Sequence, residues 1–291
     1  MAPNHETKPP LPVTKAVLVE IPAPHVLLVT INRPKQMNSL SVENCWEMDR
    51  VWKWFDEEPE LRVGIITGAG AKALSAGMDL KGMWQSICKP QKRFTNPDPS
   101  SEDFNRSGTY PNSGFAGLTR RVGKKPIICA CNGYAHGGGF EIALNSDIVI
   151  ASTNAEFRLP DVLRGTAAMA GAFPRICRNF GLQRAMLLAL TAYTLKADEA
   201  MQWGLVQKVV PAERLIGEAI EMASLISSMS PDSVVVSRAG VREAWETGSV
   251  ERATQLTGAM YAEKLMGGEN VKEGLKAFAE RRQPKWVPSK L

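Results

Sequence analysis

The sequence predicts a mixed α/β protein that ends in a helical segment. In its first 210 residues, apolar strand-like runs alternate with segments of helical periodicity. From Glu213 to about Arg282 the apolar spacing is helical throughout. The 291 residues, 44% of them hydrophobic, are enough for one large domain with a helical appendage.

The individual elements follow from local apolar patterns and turn residues. Strands are predicted at 16–21, 25–32, 62–67, 124–133 and 147–152. Helices are predicted at 41–58 and 138–146, with Ser41 able to cap the first of them. The broad apolar face of that first helix comprises Val42, Trp46, Met48, Val51, Trp52 and Phe55.

These patterns divide the chain into four parts. Residues 1–12 are Pro-rich and predicted to form a flexible tail, and 13–211 form the core. Within the core, 85–117 is a variable insertion rich in Pro, Asn and Ser. Residues 212–285 form the helical region, whose apolar stripe must be buried against the core or another subunit. Residues 286–291 are predicted to be a terminal tail.

Composition limits the cellular setting. No apolar run approaches the length of a membrane span, and the N-terminus lacks the apolar segment of a signal peptide. The five scattered cysteines predict a reducing compartment. The last residues, Ser289-Lys290-Leu291, match a peroxisomal address that an import receptor reads.

The formal net charge of +5 fits either a solvated surface or a phosphate-bearing ligand. Its Lys and Arg residues are spread along the chain, and the sequence carries no RNA-binding motif. Nucleic acid is therefore not expected as a partner.

Several familiar motifs are incomplete. The segment "ALSAG" and the later His-Gly-Gly-Gly suggest a serine hydrolase. In α/β-hydrolases, however, the HGGG motif precedes the nucleophile, and here His136 would have to be both the triad base and the HGGG histidine. Ser75 is therefore not expected to be a nucleophile. "GAGAKA" lacks the second strand of a dinucleotide site. Cys129 and Cys131 are expected to be strand core residues and not metal ligands.

The glycines have another use. Gly137–Gly139 would leave amide N–H groups uncovered at the start of a helix, and Gly77 would do the same for the Met78 amide. Two such amides could form an oxyanion hole. Glu141 is either a buried acid with a raised pKa or an ordinary first-turn acid, and Asp161 alone is more typical of a turn.

Six segments resemble, in order, the landmarks of the crotonase (enoyl-CoA hydratase/isomerase) superfamily, and the terminal tripeptide indicates a peroxisomal-type member. They are INRPKQMNSL, ALSAGMDLKGM, NGYAHGGGFEIALNSDIVIAS, AEFRLPDVLRGT, ADEAMQWGLVQKVV and VKEGLKAFAERR. The resemblance covers about Val13 to Arg282. It implies a spiral of ββα units with a C-terminal helical trimerisation region, giving trimers or dimers of trimers.

The same resemblance implies acyl-CoA thioester substrates and assigns the site. Oxyanion amides fall at Met78 and Gly138, and Glu141 and Asp161 match the two acids that hold the water. Substrate and CoA contacts are expected at Lys35, Met37, Ala76, Asp79, Leu80, Phe278 and Arg281. The chemistry implied needs no metal and no cofactor, since CoA is part of the substrate.

Two departures leave alternatives open. Asp161 is one methylene shorter than the usual glutamate, and Met169 could narrow the pocket and exclude water. Acids at both positions favour an enoyl-CoA hydratase, which is a lyase. An enoyl-CoA delta isomerase is the first alternative, and a non-catalytic acyl-CoA-binding or RNA-binding homologue is the second.

Overall fold

The computed structural model describes residues 14–82 and 110–291. The predicted 1–12 tail and most of the predicted insertion lie outside these ranges. The strands are β1 Val17–Ala23, β2 Val26–Ile31, β3 Val63–Gly68, β4 Ala73–Ser75, β5 Ile127–Cys131, β6 Tyr134–His136, β7 Ile148–Ser152, β8 Glu156–Arg158, β9 Leu195–Lys196 and β10 Lys208–Val210. The α-helices are α1 Val42–Glu57, α2 Gly138–Asn145, α3 Ala172–Phe180, α4 Leu182–Thr191, α5 Ala197–Gln202, α6 Leu215–Ser227, α7 Pro231–Thr247, α8 Val250–Gly267 and α9 Glu269–Ala279.

The strands form two sheets. The larger has the order β1-β2-β3-β5-β7-β10 and the smaller β4-β6-β8-β9. Among the strands of the described ranges, only the pairs β1–β2 and β8–β9 are antiparallel. Successive strand pairs β3/β4, β5/β6 and β7/β8 each give one strand to the large sheet and the next to the small sheet. This alternation is the predicted spiral of ββ units, and the mixed α/β class is confirmed.

Helix α1 forms where its sequence predicts. Ser41 caps it, because its hydroxyl accepts the Asn44 amide while the Asn44 side chain accepts the Ser41 amide. Of the predicted face, Met48, Val51, Trp52 and Phe55 are buried, whereas Val42 and Trp46 are only half-buried. The helix is apolar over more of its circumference than predicted, since Cys45 and Trp54 are buried too.

Helix α6 buries its apolar stripe within the same chain. Leu215, Ala219 and Ala223 pack on one face of the large sheet, against strand residues such as Ile65 and Ile128. The predicted boundary near residue 212 therefore marks a change of secondary structure and not the edge of the core. Hydrophobic burial on this scale is the main stabilising contribution to such a layer.

A buried ion-pair cluster fixes helix α7 to the core. Asp147 lies between α2 and β7 and accepts from Arg238 (2.9 Å) and Arg242 (2.8 Å). Burial acts to raise the pKa of Asp147, but the two guanidinium groups and the Ile127 amide outweigh it and lower the pKa. Within the described residues, no helix is long and apolar enough to cross a membrane.

The C-terminal residues 286–291 lie against the body of the protein. Val287 exchanges two hydrogen bonds with the Asn270 side chain, at 3.0 and 3.1 Å. Lys124 donates to the backbone oxygen of Leu291 at 2.8 Å. The predicted tail is thus a docked segment.

The end of the predicted insertion also belongs to the core. Phe115 and Ala116 are buried, and the Ala116 oxygen accepts from the indole of Trp52 at 3.1 Å. The prediction that the insertion extends to residue 117 is wrong for Phe115 and Ala116. The Pro, Asn and Gly residues beside them gave this segment the composition of a loop.

Candidate active site

The site is built at one edge of the small sheet. Strands β4, β6 and β8 are parallel neighbours, so their carboxyl ends lie side by side. Gly77 follows β4, Gly137 follows β6 and Asp161 follows β8. Ligand sites of α/β proteins commonly form at this edge because the turns that follow the strands converge there.

The turn after β6 requires glycine at three consecutive positions. Gly137 has φ +51° and ψ −118°, a conformation open essentially to glycine. A Cβ on Gly138 would lie 2.6 Å from the Phe115 ring, and a Cβ on Gly139 would collide with the Ser75 carbonyl oxygen. The three glycines let helix α2 begin with an uncovered amide at Gly138.

The second amide comes from the turn after β4. Leu40 pairs with Met78 in a parallel bridge that uses the Gly77 oxygen and the Asp79 amide. The alternation of a strand then directs the Met78 N–H to the opposite side. Among the described residues neither the Met78 amide nor the Gly138 amide donates a hydrogen bond to a protein acceptor.

The two amides lie close together. Gly77 has φ +87°, and a Cβ placed on it would be 3.2 Å from the Gly138 nitrogen and 2.8 Å from the His136 oxygen. The turn that presents Met78 therefore packs directly against the turn that presents Gly138. Two free N–H donors so placed match the requirement of an oxyanion hole, as the sequence predicts.

Glu141 lies one turn into helix α2 and is only 4% exposed. Its Oε1 accepts the Ala172 amide at 3.0 Å. Burial raises the pKa of Glu141 to about 7; the Ala172 amide opposes this rise and the negative charge of Asp161 adds to it. Of the two interpretations left open, the structure favours the buried acid with a tuned pKa.

Asp161 is the second acid at this edge. It lies in the 3₁₀ helix Pro160–Arg164, and its Oδ2 is buried without a hydrogen-bond partner in the described part of the chain. The same oxygen lies 3.5 Å from the position of a Cβ on Gly137. Burial raises the pKa of Asp161 as well. The structure thus brings both predicted acids next to the predicted amides.

Sequence reasoning missed two aromatic residues at the site. Phe115 packs on Gly138, and the ring of Tyr110 lies 6.2 Å from that of Phe115. Both belong to the predicted insertion, whose composition carries no periodic signal. The glycine requirement at position 138 was visible in the sequence, but the ring that imposes it was not.

The hydrolase and dinucleotide motifs have structural roles only. Ser75 Oγ is buried, donates to the Asn38 oxygen at 2.8 Å and accepts the Gly77 amide at 3.1 Å. His136 stacks on Tyr134 and bonds Glu156 at 3.0 Å. After β3, the "GAGAKA" segment turns into a short strand and not into a helix.

Cys129 and Cys131 are strand core residues, as predicted. Both are fully buried in β5, and burial raises the pKa of both thiols. Within 14–82 and 110–291, no group of three His, Cys, Asp or Glu could hold a metal ion.

Met169 lies at the surface of the single chain. Its side chain is 81% exposed, whereas the neighbouring Ala168 is buried. That Met169 narrows the pocket and excludes water stays a prediction. The short segment between Asp161 and α3 turns the methionine outward and places the small residue inward.

The predicted CoA contacts fall into two groups. Lys35 is exposed, and the Met37 oxygen accepts the Ala76 amide at 2.9 Å, which joins two of the predicted segments. Asp79 pairs with Arg33 at 3.3 Å. Leu80, 40% exposed, continues from the same turn.

Phe278 and Arg281 lie at the end of α9. Phe278 is 87% exposed and Arg281 is exposed with φ +53°. In the described part of the chain, no hydrogen bond or ion pair links either residue to Met37 or Ala76. Their contact with CoA stays a prediction.

Comparison with known proteins agrees with this geometry. The chain is 46% identical to a mevalonyl-coenzyme A hydratase of Aspergillus fumigatus over 280 residues, which cover 96% of this chain and 98% of that one. It is 38% identical to a probable mitochondrial enoyl-CoA hydratase of Dictyostelium discoideum, with 89% and 86% covered. The crystal structure of an enoyl-CoA hydratase from Mycobacterium marinum superposes with a TM-score of 0.81 at 30% identity, covering 94% and 99%. The sequence profile of enoyl-CoA hydratase/isomerase matches residues 23–288, and the chain therefore belongs to the enoyl-CoA hydratase/isomerase family.

Proposed function

We propose that the chain hydrates a branched, hydroxylated 2-enoyl-CoA, and dehydrates the corresponding 3-hydroxyacyl-CoA, through an enolate held in the oxyanion hole. The observation that carries the proposal is the convergence at one sheet edge of two free amides, the buried Glu141 and the half-buried Asp161. The Aspergillus fumigatus relative is named for mevalonyl-CoA, a thioester of this branched and hydroxylated class.

The amides of Met78 and Gly138 act on the thioester. Both donate to its carbonyl oxygen, and both bind more strongly as negative charge develops on that oxygen during water addition. One such donor is typically worth about 2.7–4 kcal/mol of transition-state stabilisation. Because both donors are backbone amides in turns that pack against each other, they do not have to move as the charge develops.

The two acids handle water. Ionised Glu141 takes one proton from the water as the water oxygen bonds to Cβ. The buried Oδ2 of Asp161 accepts a hydrogen bond from the other O–H, which stays on the product, and so orients the water. The proton then returns from the carboxyl group to Cα, so the addition is balanced. A pKa of about 7 suits a group that both removes and returns a proton near neutral pH.

The rest of the thioester follows the protein surface. The CoA moiety is placed along the loop of Lys35 and Met37 and the turn from Ala76 through Asp79 to Leu80. The adenine and 3′-phosphate are assigned to Phe278 and Arg281. CoA enters as part of the substrate, and the proposed steps use no metal or redox cofactor.

Hydration is favoured over isomerisation because the site has two acids. Both border the proposed oxyanion hole. An isomerase or a binding protein would need only one acid or none, so the buried, partnerless Oδ2 of Asp161 would be costly and without use.

Glu141→Gln tests the acid assignment. We expect kcat to fall by at least about 10²-fold at every pH, with CoA affinity nearly unchanged, because the amide cannot accept the proton. Wild-type kcat/KM for hydration should rise through an apparent pKa near 7, which is the value to which burial raises Glu141. Persistent activity in the variant would remove Glu141 from the mechanism.

The same variant has a stability signature that is independent of turnover. Burial raises the Glu141 pKa from 4.5 to about 7, so the folded chain retains a proton that the unfolded chain loses in this window. The wild-type free energy of unfolding therefore falls as pH rises from 4.5 to 7. Glu141→Gln should match wild type at low pH and exceed it by about 3 kcal/mol above pH 7. Urea unfolding at the two pH values measures this gap, and a gap independent of pH would contradict the burial argument.

Substrate preference tests the proposed class. We expect kcat/KM for the dehydrated, 2-enoyl form of mevalonyl-CoA to exceed that for crotonyl-CoA by at least about tenfold, since binding energy from distal groups lowers the barrier. Loss of the conjugated thioester absorbance reports the rate. If the chain turns over a 3-enoyl-CoA and no 2-enoyl-CoA, the reaction is isomerisation.

We further propose that the protein assembles as a trimer or a pair of trimers. The segment from the site to α4 exposes an unusual number of large apolar side chains, namely Val162, Leu163, Met169, Phe173, Leu182, Met186, Leu187 and Leu190. Exposed apolar surface of this kind marks protein interfaces. Light scattering should give a mass of three or six chains, and Leu190→Glu should lower it whereas Leu190→Met should not. A wild-type mass of one chain would refute the assembly.

Finally, we propose import into peroxisomes through Ser289-Lys290-Leu291. Because Lys124 holds the Leu291 oxygen, the import receptor must first lift the docked segment from the body. Deleting Leu291 should leave a fluorescent fusion in the cytosol, while Lys124→Ala should keep import intact and bind the receptor more tightly. Import without Leu291 would show that another signal is used.

A further inference from the structure

Tyr110 carries a polar group for which the mechanism above has no use. Its hydroxyl oxygen is buried and has no hydrogen-bond partner among residues 14–82 and 110–291. The ring is half-buried and packs against the main hydrophobic core. An unpaired buried hydroxyl costs about 1–3 kcal/mol, so native proteins rarely keep one unless a ligand or water satisfies it.

The ring packs against the residue that covers one of the two free amides. Its centroid is 6.2 Å from that of Phe115, with the rings inclined by 57°. Phe115 in turn covers Gly138, whose amide binds the thioester oxygen in the proposed function. Tyr110 is thus one aromatic ring removed from the reacting carbonyl.

The surroundings keep the phenol protonated. Burial raises the pKa of Tyr110, and the negative charge of Glu141 raises it further. The hydroxyl is then a neutral group that can donate and accept a hydrogen bond but cannot act as a base. The Phe115 ring, against which Tyr110 packs, is apolar and offers the hydroxyl no partner.

We infer that the Tyr110 hydroxyl binds a hydroxyl group on the acyl chain of the substrate, beyond Cβ, and thereby selects hydroxylated acyl-CoA thioesters over plain ones. This inference rests on the proposed function and adds the residue that sets its substrate class. Tyr110 is a positioning residue, since the carbons that react lie at Glu141 and Asp161.

The selectivity has a physical basis. When a hydroxylated chain binds, it satisfies the buried phenol. A chain without the hydroxyl leaves the phenol unpaired in an apolar wall, and sites built to bind a substrate hydroxyl reject analogues that lack it. A phenyl ring in place of the phenol would remove the hydrogen bond to the hydroxylated chain. It would also remove the unpaired hydroxyl that disfavours a chain without the hydroxyl.

Tyr110→Phe tests this with two substrates, the 2-enoyl form of mevalonyl-CoA and the same thioester without its distal hydroxyl. The variant should lose about 10- to 100-fold in kcat/KM on the hydroxylated substrate and lose nothing on the deoxy one, for which kcat/KM should rise because the unpaired phenol is gone. Tyr193→Phe is the matched control, because the Tyr193 hydroxyl bonds Glu199 outside the site. This control should leave the ratio of the two kcat/KM values at its wild-type level.

The outcomes separate the two claims. An equal loss on both substrates, or no loss on either, would overturn the role of Tyr110 while leaving the hydratase assignment intact. A wild-type enzyme that hydrates both substrates equally well would refute the substrate class itself, before any variant is considered. Circular dichroism of Tyr110→Phe confirms that the comparison is made between folded proteins.

Discussion

The site depends on one close backbone approach, that of the turn at Gly77 to the turn at Gly137 and Gly138. No Cβ fits between them, since an atom on Gly77 would lie 2.8 Å from the His136 oxygen. The parallel pairing of β4 with β6 brings both turns to the same sheet edge, and the next strand, β8, delivers Asp161 there as well. The oxyanion hole is therefore a property of the sheet order, and substituting any of these glycines would push apart the two amides that must bind one oxygen.

The acids show the opposite kind of constraint, in which function opposes stability. Burial that raises the Glu141 pKa to about 7 makes its charged form costly in the folded chain. The unpartnered Oδ2 of Asp161 adds a second cost. Groups of this kind persist because the hydrophobic core on either side of the large sheet and the Asp147 cluster stabilise the fold elsewhere. The chemistry thus uses stability that the hydrophobic layers supply.

The sequence predicted those features whose physical cause is local. Glycine spacing predicted the two amide turns, the Ser41 cap and apolar period predicted α1, and the apolar setting of Glu141 predicted a buried acid. It could not predict features that arise from distant contacts. The burial of Phe115 depends on Gly138 approaching from another strand, and the outward direction of Met169 depends on a short turn with no periodic pattern. The docked C-terminal segment depends on Asn270 and Lys124, neither of which is distinctive in the sequence.

The features with a local cause are those of the proposed chemistry, whereas those that depend on distant contacts concern the choice of substrate. In the proposed function the thioester is bound by backbone amides, whose sequence signature is the glycine that gives them room. The acyl chain is there bound by side chains such as Tyr110, on a segment whose composition predicts no helix or strand. Changing those side chains alters the contacts beyond Cβ without moving the amides at Met78 and Gly138. One fold can therefore keep a fixed enolate chemistry while a few residues near 110–117 decide which acyl group reaches it.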